Sequence, residues 1–226
     1  FSNSRNLGSS VDIPYFYIIS DNKDLTFKPK IFFNDELVLQ NEYRQVNKSS
    51  IHIADFSLNR KNFLSTKNST KLHFFSKSNF KIQNEFFDNS SVNLNLQKVN
   101  NDKYLDVYNI ENNNLIQDKD LLHSSIDFKG TKDNFKFETS IEVYEDLNKD
   151  KSSRYEYIYP KYKFQKNFSE ERSNNFYLKT YGSQRQYETN IYEGILINDI
   201  FYKSKKKYSA SGFISNINTL IKNVNV

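Results

Sequence analysis

Polar and apolar residues exchange places at every second position through most of this chain. Leu25-Thr26-Phe27-Lys28-Pro29-Lys30-Ile31 is one such run, and Phe135-Lys136-Phe137-Glu138-Thr139-Ser140-Ile141-Glu142-Val143 is another. Between Leu72 and Ile82 the apolar residues Leu72, Phe74, Phe80 and Ile82 hold even positions. Successive side chains of a strand point to opposite faces, so this pattern builds sheets with one apolar and one polar face. It predicts strands over 9–20, 24–33, 36–46, 50–59, 71–82, 85–99, 121–130, 133–146, 153–166, 174–184, 187–203 and 206–217. Asp21-Asn22-Lys23 and Asn34-Asp35 read as tight turns, the second as a two-residue hairpin loop, and Asn62 to Thr70 as a polar connection. Residues 100–120 break the alternation. Tyr104, Leu105 and Tyr108 fall at helical spacing among Asn and Asp, which predicts a long loop holding one helical turn. No fixed-length repeat and no Gly/Ser- or Pro-rich linker is present, so residues 1–226 are expected to form one domain.

Composition sharpens the fold class. The chain holds 16 Tyr and 20 Phe but only two alanines, Ala54 and Ala210, a balance that argues for strands over helices. Hydrophobic residues make up 37%, lean for a two-layer sandwich that must fill both inner faces. A barrel with a wet interior needs only half of each strand to be apolar. The expected fold is therefore all-β: an antiparallel up-and-down transmembrane β-barrel, present as a partial barrel of about a dozen strands. No apolar run reaches the length of a membrane-spanning helix, which leaves strand crossing open. The chain starts at Phe1, and its last alternating segment runs to the C-terminus, so it is expected to be an internal piece of a larger protein.

Charge and chemistry point away from catalysis and nucleic acid. The net charge of +5 is carried mostly by Lys interleaved with Asp and Glu, and only Lys203 to Lys207 form a basic cluster. That cluster reads as a solvated turn, so no nucleic-acid partner is expected. Cysteine is absent, which removes disulfides and thiolate metal sites. His52, His73 and His123 lie in three separate segments without a second ligand at close spacing, so no metal or other cofactor is expected. No nucleophile elbow, phosphate-cradling glycine loop or zinc spacing occurs, and the chain reads as non-enzymatic.

Two prolines stand inside alternating runs. Pro14 lies in Val11 to Ile19 and Pro29 in Leu25 to Phe33. Proline lacks the N–H a ladder needs, and each missing bond removes about 0.5–1.5 kcal/mol. One such strand suits an ordinary sheet edge. Two neighbouring ones also suit a seam thinned so that it can part.

These segments resemble the start of the barrel domain of the LptD family of outer-membrane LPS-assembly proteins, also called OstA or Imp. The resemblance rests on Ile13-Pro14-Tyr15-Phe16-Tyr17, then Asp24-Leu25-Thr26-Phe27-Lys28-Pro29-Lys30, then Gln40-Asn41-Glu42-Tyr43-Arg44. Asp55-Phe56-Ser57, His73-Phe74-Phe75-Ser76-Lys77, Asn101-Asp102-Lys103-Tyr104-Leu105 with Tyr108, and Tyr157-Ile158-Tyr159-Pro160 follow in the family's order. The likeness covers most of residues 8–166 and thins beyond; the loop motif at Asn101 is similar to alphaproteobacterial members.

The resemblance implies a barrel of roughly two dozen strands, of which this chain supplies less than half. It implies transport of lipopolysaccharide (LPS) to the outer leaflet of a Gram-negative outer membrane, without catalysis. By resemblance, Pro14 and Pro29 match prolines of a lateral gate, and Lys28, Lys30, Gln40, Glu42 and Arg44 would line the interior. Leu25, Phe27, Ile31, Leu72, Phe74 and Phe80 would face lipid. The partners it implies are LPS, outer-membrane lipid, an LptE-like plug lipoprotein, and an LptA/LptC-like periplasmic bridge acting through a jelly-roll domain that this chain lacks. The cysteines that couple the family's two domains are also lacking here. The rival expectations are another outer-membrane barrel (a porin or receptor) and a soluble β-sandwich that binds carbohydrate.

Overall fold

The computed structural model describes residues 2–4, 7–33, 36–61, 70–150, 152–168 and 174–226. The elements are β1 (Ser2–Ser4), β2 (Gly8–Asp12), β3 (Tyr15–Ser20), β4 (Lys23–Phe32), β5 (Glu36–Val46), β6 (Ser50–Lys61), β7 (Lys71–Ile82) and β8 (Asn89–Val99). They continue with α1 (Tyr104–Val107), β9 (Leu121–Lys132), β10 (Phe135–Asp146), β11 (Tyr155–Asn167), β12 (Asn175–Tyr187) and β13 (Ile191–Lys203). The last are β14 (Lys207–Tyr208), β15 (Ile214–Ser215) and β16 (Asn218–Asn225). The protein is all-β and antiparallel, and its strands follow one another up and down in sequence order from β4 to β13, with β16 last. Among the described residues the order is an open path: β16 pairs only with β13, and no pairing joins it to the first strands.

Turn chemistry explains the joints. Asn22 donates its side-chain amide to Val46 O (3.1 Å) and Asn47 Oδ1 (3.1 Å), tying the β3–β4 turn to the β5–β6 turn. The β9–β10 joint is two residues long, and Asp133 takes the positive φ of 43° that such a tight hairpin demands. The Asn34-Asp35 turn, and the Asn62 to Thr70 connection up to residue 69, lie outside the described residues.

Three expected strands need correction. The 9–20 run is interrupted at Ile13-Pro14, so β2 and β3 are two pieces that both pair with β4. The 85–99 run starts only at Asn89, because Asn84 turns the chain by accepting from the amides of Phe86 (3.0 Å) and Phe87 (2.7 Å). Residues 206–217 are a separate small hairpin, β14–β15, and β16 is the strand that continues the sheet. Ser209 to Gly212 bends that hairpin, with Gly212 at φ +85°, a conformation L side chains rarely adopt.

The chain divides into two compact units. Unit 1 comprises residues 1–80, 93–125 and 143–155, and unit 2 comprises residues 81–92, 126–142 and 156–226. In unit 1 the register sets Lys28, Gln40, Ser57 and His73 side by side across β4 to β7, with Thr26, Glu42, Asp55 and Phe75 in the next row. The opposite face of the same strands carries Pro29, Leu39, Leu58 and Leu72 in one row and Phe27, Asn41, Phe56 and Phe74 in another. Period-two alternation thus becomes two chemically distinct faces. Phe56, Leu58, Leu72 and Phe74, two directly opposed pairs, stay about 40% exposed on the apolar face. The buried apolar core lies on the other side, where residues 100–120 cover the polar face with Tyr104, Leu105, Tyr108, Ile110 and Leu115.

Unit 2 contributes no residue to that core among those described. One face of its strands bounds an open cavity of about 490 Å³ lined by Lys129, Lys161, Lys163 and Lys179 with Glu138 and Glu142. Lys161 pairs with Glu142 at 3.0 Å and Lys163 with Glu138 at 3.9 Å. Alternation is looser toward its end: Ile195 and Ile197 line the same cavity as these charges.

Candidate functional site

The polar face of unit 1 carries a connected set of buried polar side chains. Asp55 is fully buried. Its Oδ1 accepts from His73 Nε2 (2.8 Å), and its Oδ2 accepts from Gln40 Nε2 (2.8 Å) and Asn112 Nδ2 (2.6 Å). Asn112 also donates to Glu42 Oε2 at 2.6 Å. Ser57 Oγ lies 2.7 Å from His73 Nδ1 and 2.6 Å from the Tyr104 hydroxyl. A consistent proton order runs Tyr104 to Ser57 to His73 to Asp55, each donor finding one acceptor.

Serine, histidine and aspartate in this order also describe a hydrolase relay. Here Ser57 is 2% exposed and Tyr104 caps its oxygen, so no reacting atom has room beside it. The arrangement works as a strut that fixes residues 100–120 to the sheet.

That attachment has three regularly spaced anchors. Tyr104, Tyr108 and Asn112 are four residues apart. Tyr108 donates to Glu36 Oε2 at 2.7 Å, and Asn59 Oδ1 lies 3.2 Å from the same hydroxyl. The sheet answers with donors of its own: Lys30 Nζ reaches Tyr108 O (3.2 Å) and Asn109 O (3.0 Å), and Gln40 Nε2 reaches Glu111 O (3.2 Å). The carbonyls of Tyr108, Asn109 and Glu111 thus find partners on the sheet. The segment is thus a filling of the polar face and not a solvated loop.

The phenols report this burial. Removal from water raises the Tyr104 hydroxyl from its ordinary value near 10 to about 12. Burial, and then the hydrogen bond to Glu36, raise Tyr108 as well. The fold favours both neutral phenols, and the contribution of Tyr104 is complete below about pH 10 and is lost as pH climbs through about 12. For Tyr104 the loss is on the order of 2–3 kcal/mol. Circular dichroism across this alkaline range should show unfolding that Tyr104→Phe makes shallower; an identical alkaline slope in the variant would rule out this phenol as the cause.

The five residues expected to line an interior share this face. Lys28 Nζ is 3.9 Å from Glu42, Glu42 is 3.6 Å from Arg44 Nε, and Arg44 Nε pairs with Asp24 at 2.8 Å. Gln40 and Glu42 are buried beneath residues 100–120, whereas Lys28 and Arg44 remain partly exposed. Beside them a cavity of about 300 Å³ is bounded by Pro14, Lys28, Lys30 and Gln40 on the sheet and by Asn109 to Glu111 on the filling segment.

Pro14 and Pro29 occupy adjacent register positions. β2 pairs Asp12 with Lys30 and β3 pairs Tyr15 with Phe27, which brings Ile13 opposite Pro29 and Pro14 opposite Lys28. Ile13 N donates to Pro29 O at 3.3 Å, and Pro29 has no N–H to return. Backbone groups of successive residues point to opposite sides of a strand, so the donor missing at Pro14 is on the side away from β4. Among the described residues β1 covers that outer side only along Gly8 to Ser10. β3, with Tyr15, Phe16, Tyr17, Ile18 and Ile19 all exposed, is covered there by no other described strand.

The sequence points to Pro14, Pro29 and the five polar residues but not to Asp55, Ser57, His73 and Asn112 as a set. The spacing of Tyr104, Tyr108 and Asn112 is the signal that could expose the filling segment. Comparison with models of known protein families gives no match, and no curated protein matches the chain.

Proposed function

We propose that this chain is part of an outer-membrane β-barrel that inserts LPS into the outer leaflet through a gate at its first strands. The observation that carries the reading is the break at Ile13-Pro14 with Pro29 directly across from it, at an apolar edge and next to the cavity bearing Lys28 and Lys30. LPS combines an anionic sugar head with several acyl chains, so its path needs polar surface for the head and an opening to lipid for the tails. Unpaired backbone costs several kcal/mol per group in hydrocarbon, and such an opening must be local and transient. Missing donors at the seam lower the cost of opening it.

The uncovered rows of Phe56, Leu58, Leu72 and Phe74 support the membrane part of the reading. A soluble sandwich would bury such rows under a second layer, whereas acyl chains cover them without cost. Residues 100–120 already fill the polar face of unit 1, so a plug lipoprotein would meet polar surface elsewhere, such as the mixed-charge cavity of unit 2. Delivery from a periplasmic bridge through a jelly-roll domain, as in the LptD family, completes the proposal.

Its test is cross-linking in growing cells. A photoreactive amino acid at Lys28 of the full-length protein should yield an adduct that anti-LPS antibody detects. Irradiated cells that give protein adducts but none containing LPS would refute the cargo.

A further inference from the structure

The linker between β13 and β16 has a composition unlike the rest of the chain. From Phe201 to Val226 there is no Asp or Glu, while Lys203, Lys205, Lys206 and Lys207 stand together. Among the described residues none of these four lysines makes an ion pair, and all are exposed. The linker is nonetheless tied by its own bonds. Ser204 and Ile217 close its base through Ser204 N to Ile217 O (2.8 Å) and Ile217 N to Ser204 Oγ (2.8 Å). Ser209 and Phe213 close its tip through Ser209 N to Phe213 O (2.9 Å). Asn174 holds it to the neighbouring link by accepting from Lys205 N at 3.0 Å.

This fixed hairpin shows its apolar side chains to the outside. Tyr208 is 72% exposed and Phe213 76%, with Ile214 and Ile217 exposed beside them. A small hairpin has no reason to hold four large apolar groups in water around a lysine base, and an amphipathic boundary supplies one. Aromatic and aliphatic tips enter the acyl boundary while ammonium groups meet phosphates above it.

A second observation marks the same strand end of unit 2. Its other joints at that end, after β7, β9 and β11, are ringed by phenylalanines. Phe87 packs on Phe128 and Phe135, Phe135 on Phe164, and Phe168 on Phe176. Lysines sit over this belt, with Lys132 Nζ 5.5 Å from the Phe86 ring centre and Lys166 Nζ 5.2 Å from that of Phe168. Aromatic rings with cations at strand ends are how barrels mark the boundary between hydrocarbon and headgroups.

We infer that the 204–217 hairpin is a docking element for an anionic lipid surface, with Tyr208, Phe213 and Ile214 immersed at headgroup depth and Lys203, Lys205, Lys206 and Lys207 on the phosphates. The inference rests on the membrane reading above and adds a specific lipid-binding surface to it.

The chain has no tryptophan, so Phe213→Trp gives a single hairpin reporter, and Phe74→Trp in a second variant reports the apolar strand face. Each full chain is reconstituted with phosphatidylcholine vesicles, or with vesicles in which part of that lipid is phosphatidylglycerol. Headgroup-proximal and deep brominated lipids serve as quenchers. Emission of the hairpin reporter should shift to the blue and be quenched by shallow bromines in anionic vesicles. Replacing the four lysines by glutamine should weaken this partition by on the order of tenfold or more. Hairpin emission typical of water in both lipids, or quenching that ignores the lysine replacements, overturns the inference. Deep quenching of the strand-face reporter alongside an unquenched hairpin reporter would sink the hairpin role and leave the barrel standing. Quenching of the hairpin reporter with the strand-face reporter untouched would keep the docking element and refute the spanning strands. Silence from both would refute both.

Discussion

Asp55→Ala should destabilise the protein by about 3–5 kcal/mol, the range expected when one member of a buried, hydrogen-bonded set is removed. The carboxylate is fully buried and receives three donors, from His73, Gln40 and Asn112. Truncation leaves all three donors without an acceptor away from water, at about 1–3 kcal/mol for each one that cannot find another. The loss would not stop at the sheet, because Asn112 is one of the anchors that hold residues 100–120 over it. A denaturant titration of the folded chain measures the effect. Phe56→Ala, next in sequence but on the exposed apolar face, is the comparison. Equal midpoints for the two variants would mean that the polar set contributes no more than an exposed ring. The double variant Asp55→Ala with Asn112→Ala should cost less than the sum of the singles, since the two residues share one bond.

The strands and their two faces are legible in the sequence because period two is a local signal. Lys28 and Lys30 alternate with Phe27 and Pro29, and that is enough to separate their faces once they lie in a strand. The turn at Asp21-Asn22 is local in the same sense, whereas the break at Ile13-Pro14 falls inside a run that alternation alone reads as one strand, and Asp133 turns where the alternation starts the next strand. What covers a face is not local. Asn112 meets Glu42 and Tyr108 meets Glu36, partners some 70 residues away in sequence. Nothing in Asn112-Asn113-Asn114 distinguishes an amide that spans two buried carboxylates from one in a solvated loop. The histidines show the same limit. His73 lacks nearby ligands in sequence and reads as an ordinary strand residue, yet register places it against Ser57 across the ladder. The difference at the C-terminus is of another kind: an alternation that runs from Lys206 to Ile217 is bent by Ser209 to Gly212, so the strand that continues the sheet is the next one along.

If the proposed function holds, restoring a backbone donor at Pro14 and at Pro29 should have unequal effects on LPS export, because the two prolines thin different sides of the same broken strand. Pro29→Ala would return a bond to Ile13 O and complete a pair that now rests on one 3.3 Å contact. It strengthens the attachment of the first strand to β4 by about 0.5–1.5 kcal/mol, offset by about 0.4–1 kcal/mol for the proline stiffness that is lost. Pro14→Ala would instead offer its N–H on the outer side, beyond the reach of β1, where the proposed barrel would bring its closing strand to this edge. If that outer seam is the one that opens, each kcal/mol gained there lowers the open population by about fivefold. Export measured as LPS arriving at the surface of cells carrying the full-length protein should then fall by about that factor with Pro14→Ala and little with Pro29→Ala. The reverse order would move the gate inward, to the ladder between β3 and β4. Two variants that both export at the parental rate would show that neither missing donor matters to opening, and the prolines would then be no more than the mark of an ordinary sheet edge.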